Sequence, residues 1–226
     1  MVEEYLNINR NVFKRLRRLA AFLARNFFRL QIDGLENVPK VGPFIISPVH
    51  RSNVDFFLTS TLSDLQVCFM AKDSLWKNKT LGKFLNKMGT FGVSRGKPDR
   101  ESLKTSEWVL NQKDVLVVFP EGTRQQGDRV EDIFEGAAFL SIKCQAPIVP
   151  VGIAGSELAM PKGSKIIKPV KINIVVGEPI SPPKIESGER VKRSMISSFT
   201  NDIQRELQNV YDKSREKRKE RLGLPD

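Results

Sequence analysis

Short apolar runs alternate with amphipathic runs through the middle of this chain. The apolar runs are rich in β-branched residues and predict strands over residues 44–47, 66–71, 115–119, 148–153 and 171–176. Between them, apolar positions at helical spacing predict helices over residues 53–62, 81–88, 99–111 and 135–144. Continuous apolar strands separated by helices are typical of a mostly parallel sheet covered on both faces. The pattern therefore predicts one α/β domain whose mostly parallel central sheet is flanked by helices.

An amphipathic pattern of a different kind precedes this domain. On a helical wheel, one face of residues 10–30 carries Phe13, Leu16, Leu19, Ala20, Leu23, Phe27 and Leu30. The other face carries Arg10, Lys14, Arg15, Arg17, Arg18, Arg25 and Arg29, with no acidic residue in the whole stretch. This pattern is typical of a helix lying in the plane of a membrane, although a terminal helix packed on the domain by its apolar stripe would look the same. We expect membrane contact through Phe13, Arg17, Arg18, Leu23 and Phe27.

Three regions follow from these patterns. Residues 1–30 form the amphipathic basic N-terminal helix, a membrane anchor in this interpretation. Residues 31–212 form the main domain, and residues 213–226 form a basic C-terminal tail. Since Glu216 and Glu220 alternate with cations, the tail is expected to be the frayed end of a solvated helix that runs from about residue 189 to Gly223.

The net charge of the chain limits the classes of binding partner that we expect. The 226 residues include 37 Lys and Arg against 26 Asp and Glu, a formal charge of +11. Such a charge favours nucleic acid, an anionic membrane surface or phosphorylated small molecules. Cys68 and Cys144 each lie among apolar residues and are expected to be buried thiols of a reducing compartment. No signal peptide is visible and no apolar run approaches 18 residues, so we expect a peripheral protein on the cytoplasmic face of the cell membrane.

The chain has a single histidine, His50, and Asp55 follows it five residues later. Imidazole is the only side chain whose ordinary pKa allows it to give and take protons near neutrality. Asp55 could hold the ring in one tautomer and stabilise its cationic form. The spacing from Ser52 to Asp55 is also that of a capping box, so Asp55 could equally cap a helix. The two roles are compatible.

Cations follow several of the predicted strands. Glu121, Gly122, Thr123 and Arg124 follow the strand at 115–119, Lys72 follows the strand at 66–71, and Arg95 ends a short apolar segment. Ligands of parallel sheets collect at the carboxyl ends of strands, and arginine offers a planar fork for phosphate. Cations at strand ends beside a lone histidine indicate an anionic, phosphorylated substrate near a general base.

Four motifs follow one another along the chain. They are His50-Arg51-Ser52-Asn53-Val54-Asp55, the segment from Gly89 to Arg95, Phe119-Pro120-Glu121-Gly122-Thr123-Arg124 and Ile148-Val149-Pro150-Val151. The first matches the HX4D signature of the glycerolipid acyltransferases, and the other three resemble their second, third and fourth motifs. The subfamily that the chain resembles most is the bacterial 1-acylglycerol-3-phosphate acyltransferases. Departures at Lys79, Gly92, Gln125 and Glu135 remove no catalytic group.

This resemblance implies a reaction and a role for each site residue. A fatty acyl group would pass from an acyl-coenzyme A or acyl carrier protein thioester to the free hydroxyl of a lysophospholipid acceptor. With 1-acylglycerol-3-phosphate as the acceptor, the product would be phosphatidic acid. His50 would be the general base, held by Asp55. Arg95 and Arg124 would bind the acceptor phosphate with Lys72 as a helper, while Glu121, Gly122 and Thr123 would bind the acceptor or shape the site.

Several other functions are disfavoured. One histidine and two scattered cysteines cannot form a usual zinc site, so we expect no metal, and the resemblance implies no other cofactor. The chain lacks the GxxxxGK[ST] loop of nucleotide hydrolases. Nucleic-acid binding is disfavoured because no aromatic residue interrupts the basic side of the N-terminal helix. Two alternatives stay open: acyl transfer to another lysolipid or a glycolipid, and a non-catalytic, membrane-associated lipid-binding protein.

Overall fold

The computed structural model describes residues 8–94, 99–161, 163–186 and 190–224. Its strands are β1 (Gln31–Asp33), β2 (Phe44–Pro48), β3 (Val67–Lys72), β4 (Thr90–Val93), β5 (Val115–Val117), β6 (Ile148–Ala154) and β7 (Asn173–Val176). Its α-helices are α1 (Arg10–Phe27), α2 (Asp55–Thr59), α3 (Lys79–Lys87), α4 (Arg100–Asn111), α5 (Gly136–Cys144), α6 (Ser156–Ala159) and α7 (Arg193–Leu222). Short 3-10 helices lie at Leu35–Asn37 and Asp73–Lys77.

The seven strands form one sheet in the order β1-β7-β6-β2-β5-β3-β4. All neighbouring pairs are parallel except β6 and β7, which are antiparallel. Strand β2 is central, and all five of its residues are buried because helices cover both faces of the sheet. The predicted α/β class with a mostly parallel sheet is therefore confirmed. The sequence patterns missed β1 and β4, and α2 is shorter than the helix predicted over residues 53–62.

Helix α7 crosses the sheet and anchors the C-terminal part of the chain. It passes so close to β6 that a Cβ atom on Gly152 would lie 2.1 Å from the carbonyl oxygen of Val210. The boundary predicted after residue 212 falls inside this helix. Its last turns are not frayed, because the Arg218 Nε donates to the Lys171 carbonyl over 2.9 Å and Ser214 is fully buried. The expected stop at Gly223 is confirmed, since this residue adopts a left-handed conformation with φ +63°.

Helix α1 packs on the domain by one face. The Asn9 side chain accepts a hydrogen bond from the Val12 N–H over 3.0 Å and caps the helix, and Arg10 forms an ion pair with Asp114. Phe13, Ala20 and Ala24 are buried. Phe13 is only 2% exposed, which corrects its assignment to membrane contact: the apolar stripe is wide enough for one edge to pack on the domain.

The other edge of the α1 stripe remains at the surface. Its exposed apolar side chains are Leu19, Phe22, Leu23 and Phe27. Arg18 is exposed beside this edge, whereas Arg17 is mostly covered and forms an ion pair with Asp64. Within the described part of the chain, no helix is both long and apolar enough to cross a bilayer.

Candidate active site

His50 lies in the loop that leaves the central strand β2. The Val49 N–H donates to the Val151 carbonyl over 3.0 Å, and the His50 carbonyl accepts from the Gln125 N–H over 2.9 Å. His50 is 3% exposed. Because β2 and β5 are parallel neighbours, the residues that follow β5 reach the same edge of the sheet. The structure thereby brings His50 and Glu121 together.

Asp55 orients the histidine and closes the loop around it. One oxygen, Oδ2, accepts hydrogen bonds from His50 Nδ1 at 3.1 Å, from the Arg51 N–H at 2.7 Å and from the Ser52 N–H at 2.7 Å. The bond to the Ser52 N–H is one half of the predicted capping box. The other half is missing, because the Ser52 hydroxyl donates to the Met160 carbonyl over 2.9 Å. Asp55 therefore holds both the ring and the start of α2.

The hydrogen bond to Asp55 fixes which nitrogen of His50 is free. A carboxylate can only accept, so Nδ1 is the donor in this hydrogen bond, and in the matching tautomer of a neutral imidazole Nε2 is the acceptor. Nε2 makes no hydrogen bond to any group in the described parts of the chain. The ring lies against two aromatic side chains, with centroid distances of 4.3 Å to Phe119 and 5.6 Å to Phe56. These two rings form an apolar wall beside the imidazole and leave Nε2 as the ring nitrogen without a hydrogen-bond partner among the described residues.

Glu121 is buried in the protein and positions the loop between β2 and α2 that carries His50, which we call the histidine loop. Its Oε1 accepts from the His50 N–H over 2.8 Å. Its two oxygens also accept from Arg51 Nη1, at 2.9 Å and 2.7 Å. The Glu121 side chain is 0% exposed and the Arg51 side chain 1% exposed, so this is a buried ion pair. Of the two roles implied by the resemblance, these contacts favour shaping the site over binding the acceptor.

Arg51 is a site residue that sequence reasoning missed. Its Nη2 donates to the Arg129 carbonyl over 2.9 Å, and its guanidinium lies 4.6 Å from the centre of the Tyr211 ring. Burial lowers the pKa of Arg51, but Glu121 and Tyr211 raise it by more, so the pKa is raised overall. The only signal in the sequence was its place inside the HX4D motif. Through Tyr211, Arg51 links the histidine loop to α7.

Two of the three predicted phosphate-binding cations lie within the described residues. Lys72 is exposed at the end of β3, which neighbours β5 at the same edge of the sheet. Arg124 is half-buried. Thr123 is exposed, and its Oγ1 accepts a hydrogen bond from Gln125 Nε2 over 3.2 Å. Arg95 lies outside the described residues. Of the predicted phosphate-binding cations, Lys72 and Arg124 are the ones that the described residues place at this edge.

Gly122 has a conformation and a neighbour that explain its residue type. Its φ of +67° is in the left-handed region, and a Cβ atom there would lie 2.5 Å from the Phe134 ring. Glu135, a departure from the family pattern, accepts a hydrogen bond from the Ser197 hydroxyl over 2.8 Å on α7. Among the described residues, no group of three or more His, Cys, Asp or Glu side chains is arranged to hold a metal ion.

Comparison with known proteins identifies the family to which this site belongs. Residues 29–154 match the family model described as Acyltransferase, which covers more than half of the chain. The match includes both β2 and β5 and the loops that carry His50, Asp55 and Glu121. The chain belongs to the Acyltransferase family and is an acyltransferase, as its motifs predicted.

Individual relatives show which members of the family this chain is similar to. The chain is 30% identical over 187 residues to the 1-acyl-sn-glycerol-3-phosphate acyltransferase of Bacillus subtilis, which covers 81% of this chain and 90% of that protein. It is 26% identical to the chloroplastic 1-acyl-sn-glycerol-3-phosphate acyltransferase LPAT1 of Arabidopsis thaliana, but it spans only 49% of that longer protein. The crystal structure of PlsC, the LPA acyltransferase of Thermotoga maritima, superposes with a TM-score of 0.70 at 23% identity and covers 88% of this chain and 80% of that one. This last likeness supports the fold.

Proposed function

We propose that this acyltransferase transfers a fatty acyl group from a thioester to the free hydroxyl of 1-acylglycerol-3-phosphate, with His50 as the general base. The observation that carries the proposal is the buried hydrogen bond of 3.1 Å between His50 Nδ1 and Asp55 Oδ2, which leaves Nε2 as the acceptor. The acceptor lipid is inferred from the names of the relatives and from the cations at the same edge of the sheet.

The proposed reaction needs a base because an alcohol is a poor nucleophile at neutral pH. As the hydroxyl oxygen attacks the thioester carbonyl carbon, its proton passes to His50 Nε2. The carbon–sulfur bond of the tetrahedral intermediate then breaks, and the imidazolium returns the proton to the departing thiolate. Asp55 stabilises the imidazolium between these two steps. Proton transfer of this kind contributes about 10²–10⁴-fold to the rate.

Positioning of the acceptor is the second part of the proposal. Arg124 and Lys72, together with Arg95, would bind its phosphate, and Thr123 and Gly122 would border it. An arginine fork can bind two phosphate oxygens, which fixes the orientation of the acceptor as well as its position. Fixing the hydroxyl close to Nε2 can contribute more to the rate than the proton transfer itself.

The protein would meet its lipid acceptor at the cytoplasmic face of the membrane as a peripheral protein. Leu23 and Phe27 are 42% and 41% exposed on α1, beside the exposed cation Arg18. Such a helix lies in the interface with its apolar side chains at the acyl boundary, and each basic residue near anionic lipid adds about 1 kcal/mol. We accordingly assign the segment before residue 31 to anchoring and the sheet domain after it to catalysis.

The test is a radiolabelled acyl-transfer assay with 1-acylglycerol-3-phosphate in lipid vesicles. The wild type and His50→Ala are compared, with acyl-coenzyme A and an acyl carrier protein thioester as alternative donors. Labelled phosphatidic acid from the wild type alone supports both the reaction and its base. Equal product from His50→Ala refutes the role of His50. If the wild type labels another lysolipid or a glycolipid and not this one, the acceptor is different.

A further inference from the structure

The connection between β6 and β7 exposes large apolar side chains at one place. Ile166 is 69% exposed, and Ile167 and Leu158 are each 48% exposed. Single exposed apolar residues are common on protein surfaces, but an adjacent pair on a loop forms a local apolar projection. We call residues 163–168 the lysine–isoleucine loop.

The main chain of this loop is held in place at its base. The Lys168 N–H donates to the Ala159 carbonyl over 2.8 Å, and the Ile166 N–H donates to the Ser164 hydroxyl over 3.0 Å. On either side of the loop, Met160 and Val170 pack against the hydrophobic core. The two isoleucines are thus directed to the surface by an anchored loop.

The charges on the loop are of one sign. Residues 163–171 include three lysines and no acidic residue. Lys165 and Lys168 are exposed and flank the isoleucine pair, and neither forms an ion pair with a described residue. Apolar side chains bordered by unpaired lysines match the interface of an anionic bilayer, where hydrocarbon lies just below lipid phosphates.

The position of the loop in the fold adds a second argument. Strand β6 runs parallel to β2, so its carboxyl end, where the connection begins, lies at the edge of the sheet that carries His50. The Ser52 hydroxyl donates to the Met160 carbonyl over 2.9 Å and joins the histidine loop to this connection. At the far end of the connection, the Ile172 N–H donates to the carbonyl of Phe28, next to the exposed Phe27 of α1. One edge of the molecule therefore carries the end of α1, the lysine–isoleucine loop and the histidine loop.

We infer that the lysine–isoleucine loop is a second membrane contact, which inserts Ile166 and Ile167 into the interface of an anionic bilayer and turns the active-site edge toward it. Lys165 and Lys168 bind lipid phosphates beside the inserted pair. Together with α1, the loop gives two points of attachment, which fix the orientation of the domain where one helix would allow it to rotate. The inference deepens the proposed function, on which its consequence for lipid substrates rests, but the binding itself is measured without acyl donor or acceptor.

The first test compares matched exposed residues at opposite edges of the sheet. Val41 is 78% exposed and precedes β2, at the edge far from His50. We expect Ile166→Ser to weaken cosedimentation with phosphatidylcholine–phosphatidylglycerol vesicles about five-fold and Ile166→Ser/Ile167→Ser at least about ten-fold, whereas Val41→Ser leaves binding unchanged. Unfolding midpoints equal to that of the wild type check that all three variants are folded.

The second test gives a positive signal. Ile166→Trp is mixed with vesicles whose acyl chains carry bromine, which quenches a nearby indole, and its fluorescence is compared with that of Val41→Trp. Only Ile166→Trp should be quenched beyond the background from Trp76 and Trp108. Lys165→Gln/Lys168→Gln should weaken binding to vesicles that contain phosphatidylglycerol. The double variant should bind pure phosphatidylcholine as the wild type does, because a surface without net charge does not attract the lysines.

The inference is overturned if Ile166→Ser/Ile167→Ser binds vesicles as the wild type does. It is equally overturned if Val41→Ser weakens binding as much as Ile166→Ser, or if Ile166→Trp is not quenched. If the wild type transfers no acyl group and every variant binds vesicles as the wild type does, both the proposed function and the role of the loop are rejected. Wild-type vesicle binding that depends on Ile166, without acyl transfer to any acceptor, would support the loop and reject the proposed function.

Discussion

The ion pair between Arg51 and Glu121 can be broken from one side without changing the size of the site. Glu121→Gln keeps an acceptor for the His50 N–H but leaves the Arg51 guanidinium, whose side chain is 1% exposed, without a counter-charge. Removing one partner of a buried ion pair costs about 3–5 kcal/mol, because the remaining charge is desolvated and unpaired. For a chain of this size, that loss corresponds to a fall in Tm of roughly 10 °C.

A double-mutant cycle separates the ion pair from other effects of the substitutions. Arg51→Met removes the cation, and Arg51→Met/Glu121→Gln removes both charges. The double variant should be less destabilised than the sum of the single variants, with a coupling of about 2–3 kcal/mol. The measurement is urea unfolding of the four proteins at one pH.

The surface pair of Lys143 and Glu107 provides the matched control. Its atoms are 2.8 Å apart, but the two side chains are 45% and 22% exposed. The cycle of Lys143→Met and Glu107→Gln should give a coupling below about 1 kcal/mol. A coupling between Arg51 and Glu121 no larger than that of this surface pair would show that burial does not strengthen the ion pair.

Three further predictions concern individual side chains. Asp55→Asn should lower kcat by about 10²–10⁴-fold with little change in KM, because an amide cannot stabilise the His50 imidazolium; an unchanged kcat in the vesicle assay would contradict the proposed mechanism. Burial raises the pKa of Glu157, so its ionised form is unfavourable in the folded protein above that raised pKa. Glu157→Gln should therefore be more stable than the wild type in urea at neutral pH, with a difference that disappears as the pH falls below the ordinary range of a glutamate; a difference that is constant with pH would argue against this. Burial also raises the pKa of Cys144 to about 11 and raises the pKa of Cys68. Iodoacetamide should therefore label the native protein slowly at neutral pH, and Cys144 should react first as the pH rises. Fast labelling of Cys68 in the native protein would contradict its buried position.

The elements that the sequence predicted well are those with a strong pattern. The apolar runs that became β2, β5 and β6 are buried on both faces, so their pattern is continuous and easy to find. Strand β1 has only three residues, Gln31–Asp33, and ends at an aspartate, so no pattern marks it. Its place in the sheet depends on pairing with β7, which is distant in the sequence.

The C-terminal end of α7 shows why charge alternation misled the prediction. Cations and glutamates follow one another there as on a solvated helix. Arg218 and Arg221 nevertheless donate to the main-chain carbonyls of Lys171 and Ile172, because long basic side chains can lie along the protein surface and place only their ends at a polar group. A charge pattern does not reveal which carbonyls are within reach.

The contact between His50 and Asp55 could be predicted from the sequence, but the groups that support their loop could not. His50 and Asp55 are five residues apart, so their contact can be read locally. Arg51 and Glu121 are far apart in the sequence, and their contact follows from the parallel pairing of β2 with β5. Nothing in the sequence distinguished a guanidinium that binds substrate from one that supports the histidine loop.

The contact between Arg51 and Tyr211 has a consequence for the timing of biosynthesis. When the ribosome has synthesised β2, β5 and β6, the chain already contains His50, Asp55, Arg51 and Glu121, but the aromatic ring against the guanidinium has not yet been made. Nascent domains fold as their residues emerge, so the sheet can begin to form first. The histidine loop acquires its last support only when Tyr211 has emerged, and a nascent chain should therefore remain inactive until α7 can dock.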